Sequence, residues 1–357
     1  MTRRVPRTVA TLAMITSLVA IGVASTAQAQ DGPPQQVRLF NWEEFIDPAT
    51  VEGFEEEFGI EVIIETFSDE NEAVSVIQGD TSRYDLFVVS IAVVREMAEQ
   101  RLLAKLDHAN IPNLANVDAI FLDLPFDRGN RYSVPYDWGT TGLAYNTDCV
   151  TPSEPTWGLL LDPRAAGRVA MDSDFRVVMG SMLKFHGHPL NSTDPAQLAE
   201  AMETLGILVD DHDLEFVNWE ESLDRLSSGD LCVAQLFNGD TAAAMADSDN
   251  LGFFVPREGS DYYVDSLAIP RDARNRAGAE ALINYILRPD VHAANNEFTG
   301  YAVPNRASIE GGFVSDETLS DQVRYPDTES LEPWLAFDLR LRTVWNEAWS
   351  AFVTSHG

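Results

Sequence analysis

Lysine is nearly missing from this chain. Lys105 and Lys184 are the only two, and arginine supplies the rest of 24 basic side chains, set against 57 acidic ones. The formal charge of −33 makes nucleic acid an unfavourable partner. A solvated acidic surface, of the kind a high-salt environment tolerates, accounts for most of that balance, and the field would also draw cations toward a cleft. Cysteine is scarce too. Cys149 and Cys232 make no C-x-x-C and have no histidine pair nearby, so a structural bridge or two buried thiols are the open readings and a metal site is not. G-x-S-x-G, H-E-x-x-H, a P-loop and a G-x-G-x-x-G after the first strand are all absent. His186-Gly187-His188 lacks an acidic or cysteine partner at ligand-like spacing, and Asp210-Asp211-His212-Asp213 reads as a solvated loop. Beyond residue 24 no apolar run is long enough to span a bilayer, and no internal repeat or low-complexity tract occurs.

What is present begins with an address. Arg3, Arg4 and Arg7 precede an apolar run from about Val9 to Ala24, and small residues follow, ending Ala27-Gln28-Ala29. This is the pattern of a secretory signal peptide cleaved after Ala29, with a mature chain starting at Gln30 and a charge near −36 once three arginines are removed. No cysteine stands at that point to carry a lipid, so a soluble exported protein retained in the periplasm is expected. The remaining length exceeds that of a single growing core, which predicts two lobes.

The mature chain alternates strand and helix. Val37–Phe40 reads as a buried strand, Asp47-Pro48 as N-cap and first-turn proline, and Val51, Phe54 and Phe58 as the inner face of a helix that Gly59 ends. Ile60–Phe67 and Tyr84–Val89 read as strands flanking a helix over Asn71–Gln78. The resulting β-α-β-α-β order predicts a parallel sheet covered on both faces, with ligand at the carboxyl ends of its strands. The aromatic and hydroxyl-rich run Tyr136–Gly142 reads as a crossing between lobes, and Asp265-Ser266-Leu267-Ala268-Ile269-Pro270 as a strand returning to the first lobe. Ala277–Leu287 is an amphipathic helix stopped by Arg288-Pro289, and the tail Val314–Ser355, with Trp334, Trp345 and Trp349, is expected to pack on the second lobe.

Aromatic and acidic residues gather at the expected strand ends: Asn41-Trp42-Glu43-Glu44-Phe45, Phe237-Asn238-Gly239-Asp240, Tyr263-Val264-Asp265 and Gly300-Tyr301. An alkyl diamine or polyamine is a methylene chain ending in ammonium groups. Its site needs flat apolar walls and carboxylates at intervals, and aromatic faces add cation–π attraction. Taken singly, each aromatic could equally be core packing.

Phe40-Asn41-Trp42, Tyr84-Asp85-Leu86, Val134-Pro135-Tyr136 with Trp138, Gly229-Asp230, Asp265–Pro270 and Leu287-Arg288-Pro289-Asp290-Val291 together resemble the polyamine-binding proteins of bacterial ABC importers, the periplasmic putrescine- and spermidine-binding family. The resemblance implies an α/β, two-lobed periplasmic binding protein of type II, each lobe a mixed, mostly parallel sheet covered by helices, with a hinged cleft between. It implies lobe 1 from residues 30–140 and 266–312 and lobe 2 from residues 141–265 and 313–357. It makes Trp42, Tyr263 and Tyr301 walls of the ligand box, with Phe237 where the family usually has tryptophan. Asp265 matches the carboxylate that holds an amine, Asp240 one present in putrescine-type members, and Ser90 a polar contact. Glu44 stands at an acidic position of the family and Glu43 replaces a small hydroxyl residue. Arg176, within Met171–Val177, falls where the family has an amine-binding glutamate, unless a slip of two residues puts Asp174 there.

That arginine leaves two accounts. Either Arg176 is held by Asp137, Asp174 or Glu43 and amine binding persists, or the ligand carries an anionic or neutral group at that end, which a guanidinium suits. The expected function is delivery of a small organic cation to an ABC permease in the inner membrane by a monomeric receptor, without cofactor, nucleic acid or catalysis. The rivals are an iron or anion receptor of the same architecture, for which Tyr262-Tyr263 lacks a convincing third ligand, and a secreted hydrolase with an unrecognised carboxylate site.

Overall fold

The computed structural model describes residues 35–68, 70–334 and 339–356. The expected leader, its cleavage after Ala29 and the start at Gln30 lie outside the described residues. Among the described residues no helix is long and apolar enough to cross a membrane.

The first half folds as its caps dictate. β1 (Gln36–Trp42) buries Val37, Leu39 and Phe40 and pairs in parallel with β2 (Glu61–Phe67) along its whole length. Between them, the Asp47 carboxylate accepts from the Ala49 N–H at 2.9 Å to start the helix Pro48–Phe58, and Gly59 ends it at φ 65°. β3 (Leu86–Ser90), almost wholly buried, lies parallel on the other side of β1. β4 (Ser133–Gly139) closes the first stretch and is buried throughout.

The chain then builds a second sheet from β5 (Thr141–Asn146), β6 (Val169–Asp172), β7 (Glu215–Val217), β8 (Val233–Phe237) and β9 (Leu251–Phe254), in spatial order β7-β6-β8-β5-β9. It returns through β10 (Ser260–Ala268), and β11 (Leu331–Pro333) pairs beside the start of β10. The first sheet therefore has six strands in the order β11-β10-β3-β1-β2, with β4 also on β10.

Both sheets are mixed, as expected, and the three strands read from the β-α-β-α-β order, β1, β2 and β3, are parallel. β10 runs antiparallel to β3 and β4, and β5 antiparallel to β8 and β9. A strand that re-enters directly from the neighbouring sheet needs no crossover helix, so nothing forces it to run parallel. Each sheet has its own core. Val37, Leu86, Phe87, Leu267 and Ile283 belong to one, and Leu143, Trp157, Met179, Leu205 and Trp345 to the other. The tail divides between them, for β11 joins the first sheet while the helix Leu339–His356 sets Leu341, Trp345 and Phe352 into the second core.

Cys149 and Cys232 form a disulfide with their Cα atoms 5.5 Å apart. The bridge joins the chain just past β5 to the residue just before β8, across a separation of 83 residues. Closing a loop of that size constrains the unfolded chain by about 4.5 kcal/mol in the chain-entropy description.

Where the chain crosses between sheets it is laced to itself. Thr140 donates its hydroxyl to the Asp261 carbonyl at 2.6 Å, and Ser260 donates its hydroxyl to the Thr141 carbonyl at 2.6 Å. The Asp261 carboxylate accepts from Trp334 Nε1 at 2.8 Å, and Asn238 Oδ1 accepts from the Thr140 N–H at 2.9 Å. All four polar residues at these crossings are buried.

Candidate functional site

The carboxyl ends of β1, β3 and β8, together with the first half of β10, open onto one cavity of about 210 Å³. Parallel strands present their ends and loops on one edge of a sheet, where a cleft forms without interrupting either core.

Its walls are aromatic. Trp42 ends β1 and packs on Phe67, the last residue of β2, with ring centroids 4.5 Å apart. Phe237 ends β8 and meets Tyr263 of β10 edge-on at 5.5 Å, and Tyr263 in turn meets Tyr301 at 6.3 Å. Tyr301 follows Gly300, which caps the helix Pro289–Thr299 at φ 82° and turns the chain inward. Two glycines let the rings lie this close. A Cβ at Gly139 would strike the Tyr263 ring, and one at Gly239 would strike the Tyr301 ring.

Carboxylates are set among these rings. Asp265 lies on β10 directly opposite both Ser90 of β3 and Asp137 of β4, so the three side chains share one face of the sheet. Burial, then the negative charges of Glu70 and Asp240, push Asp265 up to about 8. Asp240 is raised by burial to about 6, although its carboxylate accepts from Tyr301 Oη at 2.7 Å. Asp137 is fully buried, and burial with the charges of Asp265 and Asp240 raises it far above the ordinary carboxylate range. Among the described residues neither Asp137 oxygen has a hydrogen-bond partner, and the same holds for Trp42 Nε1. Unpaired polar atoms at such depth are costly and mark positions where a ligand can supply the missing bonds.

Arg176 faces this cavity and is tied to Asp174. Its Nη2 donates to Asp174 Oδ2 at 2.6 Å and its Nε at 3.0 Å, while Asp174 also caps the helix Phe175–Phe185 that carries both. Of the partners weighed for this arginine, the structure thus supplies Asp174. Both Asp174 and Arg176 line the wall, so either residue of the two alternative registers reaches the cavity.

Trp42, Glu43, Ser90, Arg176, Phe237, Asp240, Tyr263, Asp265 and Tyr301 all line the cavity. Glu44 and Asp137 do not. Glu44 is exposed with φ 51°, and Asp137 lies one strand behind Asp265. Sequence reasoning missed Glu70, whose Oε1 accepts from the Ser90 N–H at 2.6 Å and whose carboxyl burial raises. It also missed Trp219 and Glu220 at the start of one helix, and the placement of Trp334 in the wall. Nothing local distinguishes Glu70 from its many acidic neighbours, whereas tryptophan at two segment ends was a visible signal.

Residues 49–321 match the family described as bacterial extracellular solute-binding protein. The chain is 33% identical over 316 residues to the spermidine/putrescine-binding periplasmic protein of Escherichia coli, covering 88% of this chain and 89% of that one. It is 28% identical over 353 residues to a putrescine/cadaverine-binding protein of Pseudomonas aeruginosa, covering 94% and 99%. Among solved structures, the spermidine/putrescine ABC transporter substrate-binding protein of Streptococcus pneumoniae superposes with a TM-score of 0.81 at 30% identity, over 90% of this chain and all of that one. The fold is accordingly that of a two-lobed periplasmic binding protein. The chain belongs to the bacterial extracellular solute-binding proteins, alongside the polyamine-binding components of ABC importers.

Proposed function

We infer from that membership that the protein captures a small polyamine of the putrescine or spermidine kind outside the cytoplasm and delivers it to an ABC importer. The observation that carries this reading is the composition of the cavity wall, in which seven carboxylates and one guanidinium stand among aromatic rings. A tetramethylene chain buried against such rings gains about 3 kcal/mol from removal of its methylenes from water. The ammonium ends pair with carboxylates such as Asp265 and Asp240, whose ionisation burial makes costly without a cation, and the ring faces add cation–π attraction.

The bond from Arg176 to Asp174 supports an ordinary polyamine over a ligand with an anionic end, since the arginine already has its carboxylate. No histidine, cysteine or lysine is among the residues lining the cavity, which favours binding without turnover. Cleavage after Ala29, release as a soluble monomer into the periplasm and docking on an inner-membrane permease complete the proposal.

Calorimetry with putrescine, cadaverine and spermidine, and with arginine, glycine betaine and phosphate as controls, tests it. The amines should bind the wild type, and Asp265→Asn should weaken them by about 100-fold or more, because a buried cation would lose its anion. The reading fails if none of the amines binds, or if a control binds more tightly than all of them.

A further inference from the structure

Asp137 is the side chain that the cavity itself does not use. Strand pairing sets it against Asp265 across the β4–β10 ladder, in a stretch that stays in register from Tyr263 and Gly139 up to this pair and slips only beyond it. Directly opposed residues of antiparallel strands carry their side chains on the same face, about 5 Å apart at Cβ. Both aspartates are buried, Asp137 completely and Asp265 at 8% exposure, and among the described residues neither oxygen of Asp137 has a hydrogen-bond partner. Two carboxylates at that spacing and depth cannot both be anionic unless a cation joins them.

The charges that act on the pair from the described residues are negative. Asp240 faces the pair from the helix Asn238–Asp247, Glu70 from the helix Glu70–Gly79, and Tyr263 and Tyr301 from the aromatic wall. On the far side, His292 sits behind Tyr136, and burial lowers it to about 4, so it adds no charge at neutral pH. The cations along β10 are Arg176, bonded to Asp174, and Lys184, bonded to Glu332 at 2.6 Å.

We propose that Asp137 and Asp265 act as one acid pair that keeps a proton while the cleft is empty and releases it to solvent when an ammonium group arrives, leaving two carboxylates around one cation. The exchange balances, with one positive charge entering and one proton leaving. Asp137 is then a positioning residue that works through Asp265 and makes amine capture proton-linked. The proposal rests on the polyamine reading for its ligand, but its acid pair is a property of the empty protein.

Two measurements test it. The first is titration with putrescine in buffers of different ionisation enthalpy between pH 5.5 and 8.5. Wild type should release close to one proton per amine near neutrality, and its affinity should rise with pH by up to about tenfold per unit. In Asp137→Asn, an isosteric change, proton release should fall and the affinity should vary less with pH, the remainder being the proton that burial, Glu70 and Asp240 hold on Asp265. Equal release in wild type and variant, or none in the wild type while putrescine binds, overturns the pair.

The second measurement needs no ligand. An acid raised in the folded state binds more protons there than in the unfolded chain, so its contribution to stability is present at low pH and is lost as pH rises toward the folded value. The melting temperature of Asp137→Asn should therefore exceed that of wild type by a margin that grows from pH 5 to pH 8.5. A margin constant with pH overturns the pair even if no amine binds, whereas a growing margin without amine binding upholds the pair and removes only the polyamine reading.

Discussion

Arg176 shows how one residue can be misjudged from its charge alone. At the end of a cation site a guanidinium looks like a veto, yet here it is fastened to Asp174 two positions earlier by two nitrogens, near the carboxylate of Glu70. The local sum remains negative. Replacing Arg176 by glutamine should leave Asp174 and Glu70 with an unmet charge, which a second or third ammonium group can satisfy. Spermidine should gain about fivefold in affinity over putrescine, the scale of one partly exposed ion pair. Competition calorimetry reads the ratio directly, and an unchanged ratio would mean that the amine stops short of this wall. The pairing was among the options open from the sequence, as one of three acids that could hold this arginine. Glu44 and Asp137 could not be sorted from the true wall residues in the same way, since a positive φ and a position one strand further back leave no mark on composition.

At the level of elements, β4 and β10 position the site. Gly139 has no side chain and Tyr263 fills its place, so the ring stands where Phe237 and Tyr301 can reach it. Gly139→Ala should push the Tyr263 ring away from the wall, lowering amine affinity by about tenfold, as expected for losing a cation–π contact with part of the burial. The variant should keep its far-ultraviolet circular dichroism, and full affinity would show that the ring is not in contact with ligand. The caps at Asp47 and Gly59 were legible because capping is local chemistry, whereas Gly300, read as a strand end, caps a helix. The antiparallel entry of β10 and the pairing of β11 beside it were not, because strand direction depends on where the chain returns from, and periodicity carries no such information. The strand-end aromatics were legible as candidates, and the structure brings them together at one cavity while Tyr301 also belongs to the first core and Trp42 and Tyr263 pack against it.

For the whole molecule, charge and closure are the relevant quantities. A formal charge of −33 surrounds the cleft proposed to take a cation. Raising ionic strength from about 0.01 M to 0.5 M shortens the screening length from roughly 30 Å to about 4 Å, and the association rate for spermidine should fall by about tenfold or more. The dissociation rate should change far less, because the bound amine is desolvated among rings. Stopped-flow fluorescence from Trp42 and its neighbours separates the two, and a salt effect confined to dissociation would remove the role of the long-range field.

The lacing at the crossings has a mechanical corollary. Thr140, Ser260 and Asp261 tie two adjacent chain passages together, and Trp334 adds a third tie from a distant part of the chain. Passages fastened side by side can flex like a leaf spring about the line that joins them, while sliding or torsion would break the ties. A closing motion about these crossings is therefore expected to follow a single angle. Every capture brings the same atoms into opposition, and a pair of fluorophores placed across the cleft should report one relaxation rate instead of a spread.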